Sequence, residues 1–180
     1  MNIWHDISDE RISPDEFISV VEISRGSKKK YEIDKETGFI RLDRILFTSM
    51  QYPTNYGFIP KTLALDHDPL DVLLLCSESL QPLCLAKSRP IGVLKMIDNY
   101  DYDEKIIAVA VDDPIYGVHT KISDLSPHRF EEMKHFFKEY KQLENMRTTV
   151  VEIGDAGEAK KIIAKSIDAY KKHFGHSNTK

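Results

Sequence analysis

The chain has 180 residues, 41% of them hydrophobic, with 25 basic against 29 acidic side chains and a formal net charge of −4. That length suits one sizeable core, so residues 1–180 read as a single domain, and the charge balance excludes a broad cationic field for nucleic-acid backbones. The opening "MNIWHDISDE" carries neither a basic leader nor an apolar h-region, no apolar run reaches membrane-spanning length, and Cys76 and Cys84 show no metal-ligand spacing, so a cytoplasmic protein without membrane association is expected.

Most of the first 112 residues read as strands. "FISVVEIS" (17–24), "KKYEI" (29–33), "FIRLD" (39–43), "LDVLLL" (70–75), "PIGVLKMI" (90–97) and "KIIAVAV" (105–111) are rich in β-branched and aliphatic residues and are separated by turn formers. "DKETG" between the second and third predicts a hairpin. After Leu125 the period changes. Ser126 is placed as an N-cap with Pro127 at the first helical position, and Phe130, Met133, Phe137, Tyr140 and Leu143 recur at helical spacing to about residue 144. A short strand, "TTVVEI", precedes a second helix over about 156–174, with Asp155 and Glu158 in capping-box spacing and Gly175 at its end. The expected class is α+β, mainly β: a barrel-like core with two flanking helices, about 127–144 and 156–174.

Within this frame the acidic residues are conspicuous. "LALDHDPLDVLLL" places Asp66, Asp68 and Asp71 beside an apolar strand. At ~4 Å two carboxylates repel by about 4 kcal/mol at an effective dielectric near 20, so a counter-charge must stand among them. "DNYDYDEK" adds Asp98, Asp101 and Asp103 at another strand mouth. Oxygen donors without neighbouring Cys or paired His point to hard cations, Mg²⁺ first, then Mn²⁺ or Ca²⁺. An EF-hand is excluded because its fifth and sixth loop positions are Leu70 and Asp71, and neither a phosphate-cradling glycine loop nor a recognisable nucleophile motif occurs. The cations are local. Alternation puts Lys28, Lys30 and Glu32 on one face of their strand, while Arg44, Lys105 and Lys141 lie close to other features; Tyr52 and Tyr56 in "QYPTNYGFIP" offer hydroxyl donors. Carboxylates, a hard metal and local Lys, Arg and Tyr donors suit a small, highly charged oxyanion, as phosphoryl transfer to water requires.

"DHDPLDV" resembles the signature of the soluble inorganic pyrophosphatases of family I. The likeness continues in order through "VVEI", "KYEIDKETG", "DRIL", "YPTNYGFIP", "RPIGVLKMID", "DEKIIAV" and "HFFKEYKQLE", over about residues 17–153, and "WHDI" and "VDDPIYG" resemble the plant and archaeal branch. The resemblance implies a distorted five-stranded, OB-like closed barrel and hydrolysis of pyrophosphate to two orthophosphates with three to four Mg²⁺ per site, Mn²⁺ being a possible substitute. It implies that Asp66, Asp71 and Asp103 hold a first metal, with Asp71 bridging to a second, that Asp98 and Asp103 hold a third, that Glu32 helps with a fourth, and that Glu22 acts through waters. Asp68 is implied as general base toward the attacking water. Lys30, Arg44, Tyr56, Lys105, Tyr140 and Lys141 are implied as phosphate contacts, with Tyr52 lining the site. The position of His67 usually carries a small or polar residue, so an imidazole there is expected either to be solvated or to alter metal preference. A homo-oligomer, a hexamer by resemblance, is expected. Two other readings stay open: an OB-like module stacking single-stranded nucleic acid on Tyr52, Tyr56, Tyr100 and Tyr102, against which the acidic clusters argue, and an inactive scaffold.

Overall fold

A computed structural model describes residues 2–175. The strands are β1 (Phe17–Ile23), β2 (Lys29–Ile33), β3 (Ile40–Ile45), β4 (Asn55–Ile59), β5 (Leu70–Leu75), β6 (Leu85–Asp98), β7 (Asp101–Ala110) and β8 (Thr148–Asp155), with helices α1 (Pro127–Glu139) and α2 (Ala156–Phe174). β1, β4, β5, β7 and β6 are hydrogen-bonded in that order, and β6 returns to β1, which closes a ring of five strands; β8 extends the sheet from β6, and β2 and β3 form a separate hairpin. The expected mainly-β core with two helices is therefore present. β5 runs parallel to β7 and antiparallel to β4, and its near-continuous apolar run is buried along its length except at Asp71.

β4 has no counterpart among the strands expected from sequence. "NYGFI" contains a glycine, which weakens a strand pattern, yet the glycine is what permits this one. A Cβ on Gly57 would lie 1.8 Å from the Val20 carbonyl oxygen, so β1 and β4 can approach only around a residue without a side chain. β7 begins at Asp101, four residues before the apolar run, because the chain reverses through Asn99 and Tyr100, both at positive φ (48° and 76°), and Asp98 pairs with Asp101. Such two-residue turns match strand twist, and this one carries the acidic segment into the ladder.

Leu73, Ile107 and Leu94 of the ring pack with Tyr52, Phe136, Phe137 and Tyr140 beneath α1, while Phe17, Val72, Ala108 and Ile163 form a second cluster beneath α2. The free thiols of Cys76 and Cys84 are half-buried against that second cluster. Asp155 Oδ1 accepts the Glu158 N–H at 2.9 Å, as the capping spacing predicts. Ser126 makes no side-chain cap, so Pro127 at the first position starts α1, and Gly175 closes α2 in right-handed conformation (φ −68°) rather than the left-handed one common at helix ends. The helix expected to about residue 144 is α-helical only to Glu139 and continues as a 3₁₀ turn, Gln142–Glu144, which leaves Leu143 65% exposed. No helix among the described residues is long and apolar enough to cross a membrane.

Candidate active site

The β2–β3 hairpin, the loop entering β5, the β6–β7 ladder and the end of α1 enclose a polar cavity of about 620 Å³. Twelve of the fourteen residues singled out from sequence line it: Glu22, Lys30, Glu32, Tyr56, Asp66, Asp68, Asp71, Asp98, Asp103, Lys105, Tyr140 and Lys141. The other two stand behind the wall. Tyr52 is buried in the core cluster, with its ring centroid 5.3 Å from that of Tyr56 and 4.8 Å from that of Phe136. Arg44 directs its guanidinium to Asp43 (Nη1–Oδ2 2.5 Å) and Glu144 (Nη2–Oε2 2.8 Å).

Lys105 is the electrostatic centre. It is 3% exposed, and its Nζ lies 2.6 Å from Asp71 Oδ2, 2.9 Å from Asp103 Oδ2 and 3.2 Å from the Tyr56 hydroxyl. Burial works against its charge, but Asp103 and Asp71 outweigh burial and hold the ammonium well above its ordinary pKa. Asp71 is raised by its own burial despite Lys105, and it accepts a hydrogen bond from the Tyr56 hydroxyl, which burial and Asp71 keep protonated. Lys141 pairs with Asp98, Lys30 with Glu32, and Lys35 with Asp68.

Asp66 and Asp68 reach the cavity by a turn rather than by extended alternation. Ala64 N–H donates to the Asp68 carbonyl (2.7 Å), the Asp68 N–H donates to Asp66 Oδ1 (3.0 Å), and His67 sits at φ 66°. Side-chain-to-backbone turns of this kind are a habit of Asp and Asn. His67 is exposed at the turn and does not line the cavity.

Four further lining residues, Asp34, Lys35, Glu36 and Arg41, belong to the hairpin and were absent from the sequence-based set. Strict alternation puts Arg41 and Arg44, three apart, on opposite faces. The β2–β3 register instead shifts between Lys30↔Arg44 and Tyr31↔Leu42, so Asp43 is the extra residue of a bulge and both arginines share the face of Lys30 and Glu32. Arg41 Nη2 lies 3.0 Å from Glu32 Oε2. Gly38 (φ 74°) donates its N–H to the Asp34 carbonyl at 2.7 Å and sets the tip that carries Lys35.

Nine carboxylates and five cations, Lys30, Lys35, Arg41, Lys105 and Lys141, line the cavity. Among the described residues no three His, Cys, Asp or Glu side chains converge as a ready-made coordination sphere; ammonium groups stand among the inner carboxylates. The donor set nonetheless suits a hard divalent cation. It is all oxygen, Asp98 Oδ1 is buried with no hydrogen-bond partner, and Asp66 is held above the usual carboxylate range by its burial. Burial also pushes Glu22 up to about 8, with Asp71 adding to the shift, although Glu22 Oε1 accepts the Ile33 N–H at 2.7 Å. The fold therefore binds a proton there that the unfolded chain releases near pH 4.5, and metal-free stability falls as pH rises from about 4.5 to 8. Glu22→Gln keeps the acceptor and removes the titration. In chelator at pH 8.5 the variant is expected to be more stable by roughly 3–5 kcal/mol, the gap closing toward pH 4.5. Thermal melts across that range check it; parallel pH slopes in the two proteins would refute it.

A separate cavity of about 400 Å³ lies between the N-terminal segment and α2. There His5 Nδ1 and the Tyr170 hydroxyl hydrogen-bond to each other at 2.6 Å, and Asp9 pairs with Lys61 at 3.0 Å. It has no comparable carboxylate cluster.

The chain is also similar to known proteins along most of its length. The family described as "Inorganic pyrophosphatase" matches residues 19–171. "Soluble inorganic pyrophosphatase 2" of Chlamydomonas reinhardtii is 48% identical over 171 residues, covering 95% of this chain and 89% of that protein. Among solved structures, the inorganic pyrophosphatase of Thermus thermophilus superposes with a TM-score of 0.89 at 35% identity, covering 95% of this chain and 99% of that one. That of Helicobacter pylori gives 0.86 at 42% identity, covering 88% and 95%.

Proposed function

This chain belongs to the inorganic pyrophosphatase family and is an inorganic diphosphatase, and we propose that it hydrolyses pyrophosphate to two orthophosphates with Mg²⁺ by direct attack of water, without a covalent intermediate. The observation that carries the reading is the carboxylate-rich cavity centred on the buried Lys105. A divalent cation, Mg²⁺ or in its place Mn²⁺, three to four per site, held by Asp66, Asp71, Asp98, Asp103 and Glu32 with Glu22 behind them, would neutralise phosphate oxygens and lower the pKa of the attacking water.

The remaining work falls to the chain's own groups. Lys30, Lys105 and Lys141 bring fixed positive charge to the two phosphates, and burial keeps the hydroxyls of Tyr56 and Tyr140 protonated, so Tyr140 donates to a phosphate oxygen and Tyr56 does so by turning its proton from Asp71. Arg44 adds a guanidinium from behind the wall, and Tyr52 backs Tyr56. Asp68 takes the proton of the attacking water. Its side chain is 47% exposed, and it is freed for that role when the exposed Lys35 moves off it. Among the described residues the lining contains no Ser, Thr, Cys or His, which supports water rather than one of those side chains as nucleophile.

Tyr52 is buried in the core and Tyr56 packs partly buried against it at the cavity wall, so neither ring forms part of an open stacking platform for single-stranded nucleic acid. A single domain over residues 1–180, a cytoplasmic location and a homo-oligomer, a hexamer by family likeness, complete the proposal; exposed Phe39 and Phe47 around β3 support a covered face. The test is release of phosphate from pyrophosphate with Mg²⁺ and after chelation, with ATP as comparison substrate. Fast release that disappears on chelation and returns with Mg²⁺ is expected. No release with any divalent ion would overturn the reading.

A further inference from the structure

Glu144 is a nearly buried carboxylate, its side chain 5% exposed, and among the described residues its ion-pair partner is Arg44, at 2.8 Å. Local geometry puts it there. After Glu139 the chain tightens, Glu144 N–H donates to the Lys141 carbonyl at 3.0 Å, and Asn145 (φ 57°) closes the turn on Gln142 at 3.1 Å. Side chains three apart eclipse in a 3₁₀ turn, so Glu144 lies on the same side as Lys141, which faces the cavity and holds Asp98. From the other side, Arg44 of β3 reaches Glu144 from the face of the hairpin that also carries Lys30 of β2, and Asp43 Oδ2 stands between the two cations, 2.5 Å from Arg44 Nη1 and 3.4 Å from Lys30 Nζ. One short turn thus grips both walls of the cavity, β6 through Lys141 and β3 through Glu144.

We infer that Glu144 is a positioning residue for substrate binding: it fixes the Arg44 guanidinium between the hairpin and the end of α1, so that Arg44 and Lys141 meet the phosphates as one preorganised pair. The inference rests on the reading of Arg44 as a phosphate contact. Arg44 Nε and Nη2 are both buried without a hydrogen-bond partner, Nη2 meeting Glu144 as an ion pair and Nη1 meeting Asp43, so the guanidinium is held in place by charge and keeps donor capacity that the protein does not use. A carboxylate buried there costs desolvation energy that one ion pair does not fully repay, which is expected where placement matters more than stability.

The experiment is a double-mutant cycle of Glu144→Gln and Arg44→Ala, with kcat and KM for pyrophosphate and the melting temperature measured on all four proteins in saturating Mg²⁺. Glu144→Gln is expected to raise KM about ten-fold with kcat within about three-fold, Arg44→Ala to lower kcat/KM by at least as much, and the double variant to be no worse than Arg44→Ala alone. If Arg44→Ala impairs kcat/KM and Glu144→Gln does not, or if the two losses multiply in the double variant, the positioning role fails while the reading of Arg44 stands. If Arg44→Ala leaves kcat/KM unchanged, both fail. A lowered melting temperature for Glu144→Gln with unchanged kinetics would make Glu144 a structural residue and overturn the inference.

Discussion

Asp68→Asn is expected to lower kcat for pyrophosphate by about 10²–10⁴-fold while moving KM little and the melting temperature by no more than a few degrees. The two halves of this expectation have separate grounds. Asp68 is half-exposed on a turn, and its ion pair among the described residues, to Lys35, joins two exposed groups, so its loss is worth about 0–1 kcal/mol of stability. Asn has the same shape, and the backbone N–H of residue 68 would still donate to Asp66 Oδ1, so the turn that presents the side chain survives. What the amide cannot do is accept a proton from water in the transition state. Steady-state phosphate release with a parallel thermal melt decides it. Activity within ten-fold of the parent would remove Asp68 as general base and leave the phosphate-binding cations to account for the reaction.

That experiment is available from sequence because the acidic cluster is legible there: Asp66, Asp68 and Asp71 crowd into six positions, and their mutual repulsion demands explanation whatever the fold. The ring of strands is legible for a similar reason, since β-branched runs at regular spacing have few alternatives. What escapes is whatever depends on broken periodicity. β4 was missed because its key residue, Gly57, weakens the strand pattern and acts only through a contact with β1. Arg41 escapes because the bulge at Asp43, which brings it to the face of Lys30 and Glu32, leaves no mark in the sequence. Periodicity makes Glu144 the last residue of an amphipathic helix, since Tyr140 and Leu143 continue the apolar period; the chain tightens instead and turns Glu144 inward while Leu143 faces out. The turn through His67 inverts the expected geometry in a milder way. Extended alternation and an Asp turn both deliver Asp66 and Asp68 to one place, by different backbones.

Lys105→Met tests the electrostatic logic of the cavity itself. Met fills a similar volume in the apolar surroundings of Phe137, whose ring centroid lies 5.6 Å from the ammonium, so the variant chiefly deletes the charge between Asp71 and Asp103. Breaking a buried pair from one side leaves uncompensated carboxylates, and the metal-free variant is expected to lose about 3–5 kcal/mol at pH 8, roughly 10 °C in melting temperature. The sign of the pH dependence follows from the carboxylates. Without Lys105 the folded pKa of Asp71, already raised by burial, rises further above its unfolded value, the folded state binds more protons, and stability falls as pH climbs through the carboxylate range; the deficit is therefore small near pH 4 and complete once Asp71 must ionise. Mg²⁺ supplies the missing charge from outside. A ligand bound by the native state alone adds RT ln(1 + [L]/Kd), so saturating Mg²⁺ should raise the melting temperature of the variant by more than that of the parent, even though kcat/KM stays down about 10²-fold for want of a phosphate contact. An equal Mg²⁺-induced shift in the two proteins would mean that the cation binds away from Asp71 and Asp103, and would take the proposed metal ligands down with it. A larger shift in the variant, with activity unrecovered, separates the two duties of Lys105: holding the acidic cluster together before the metal arrives, and meeting the phosphate afterwards.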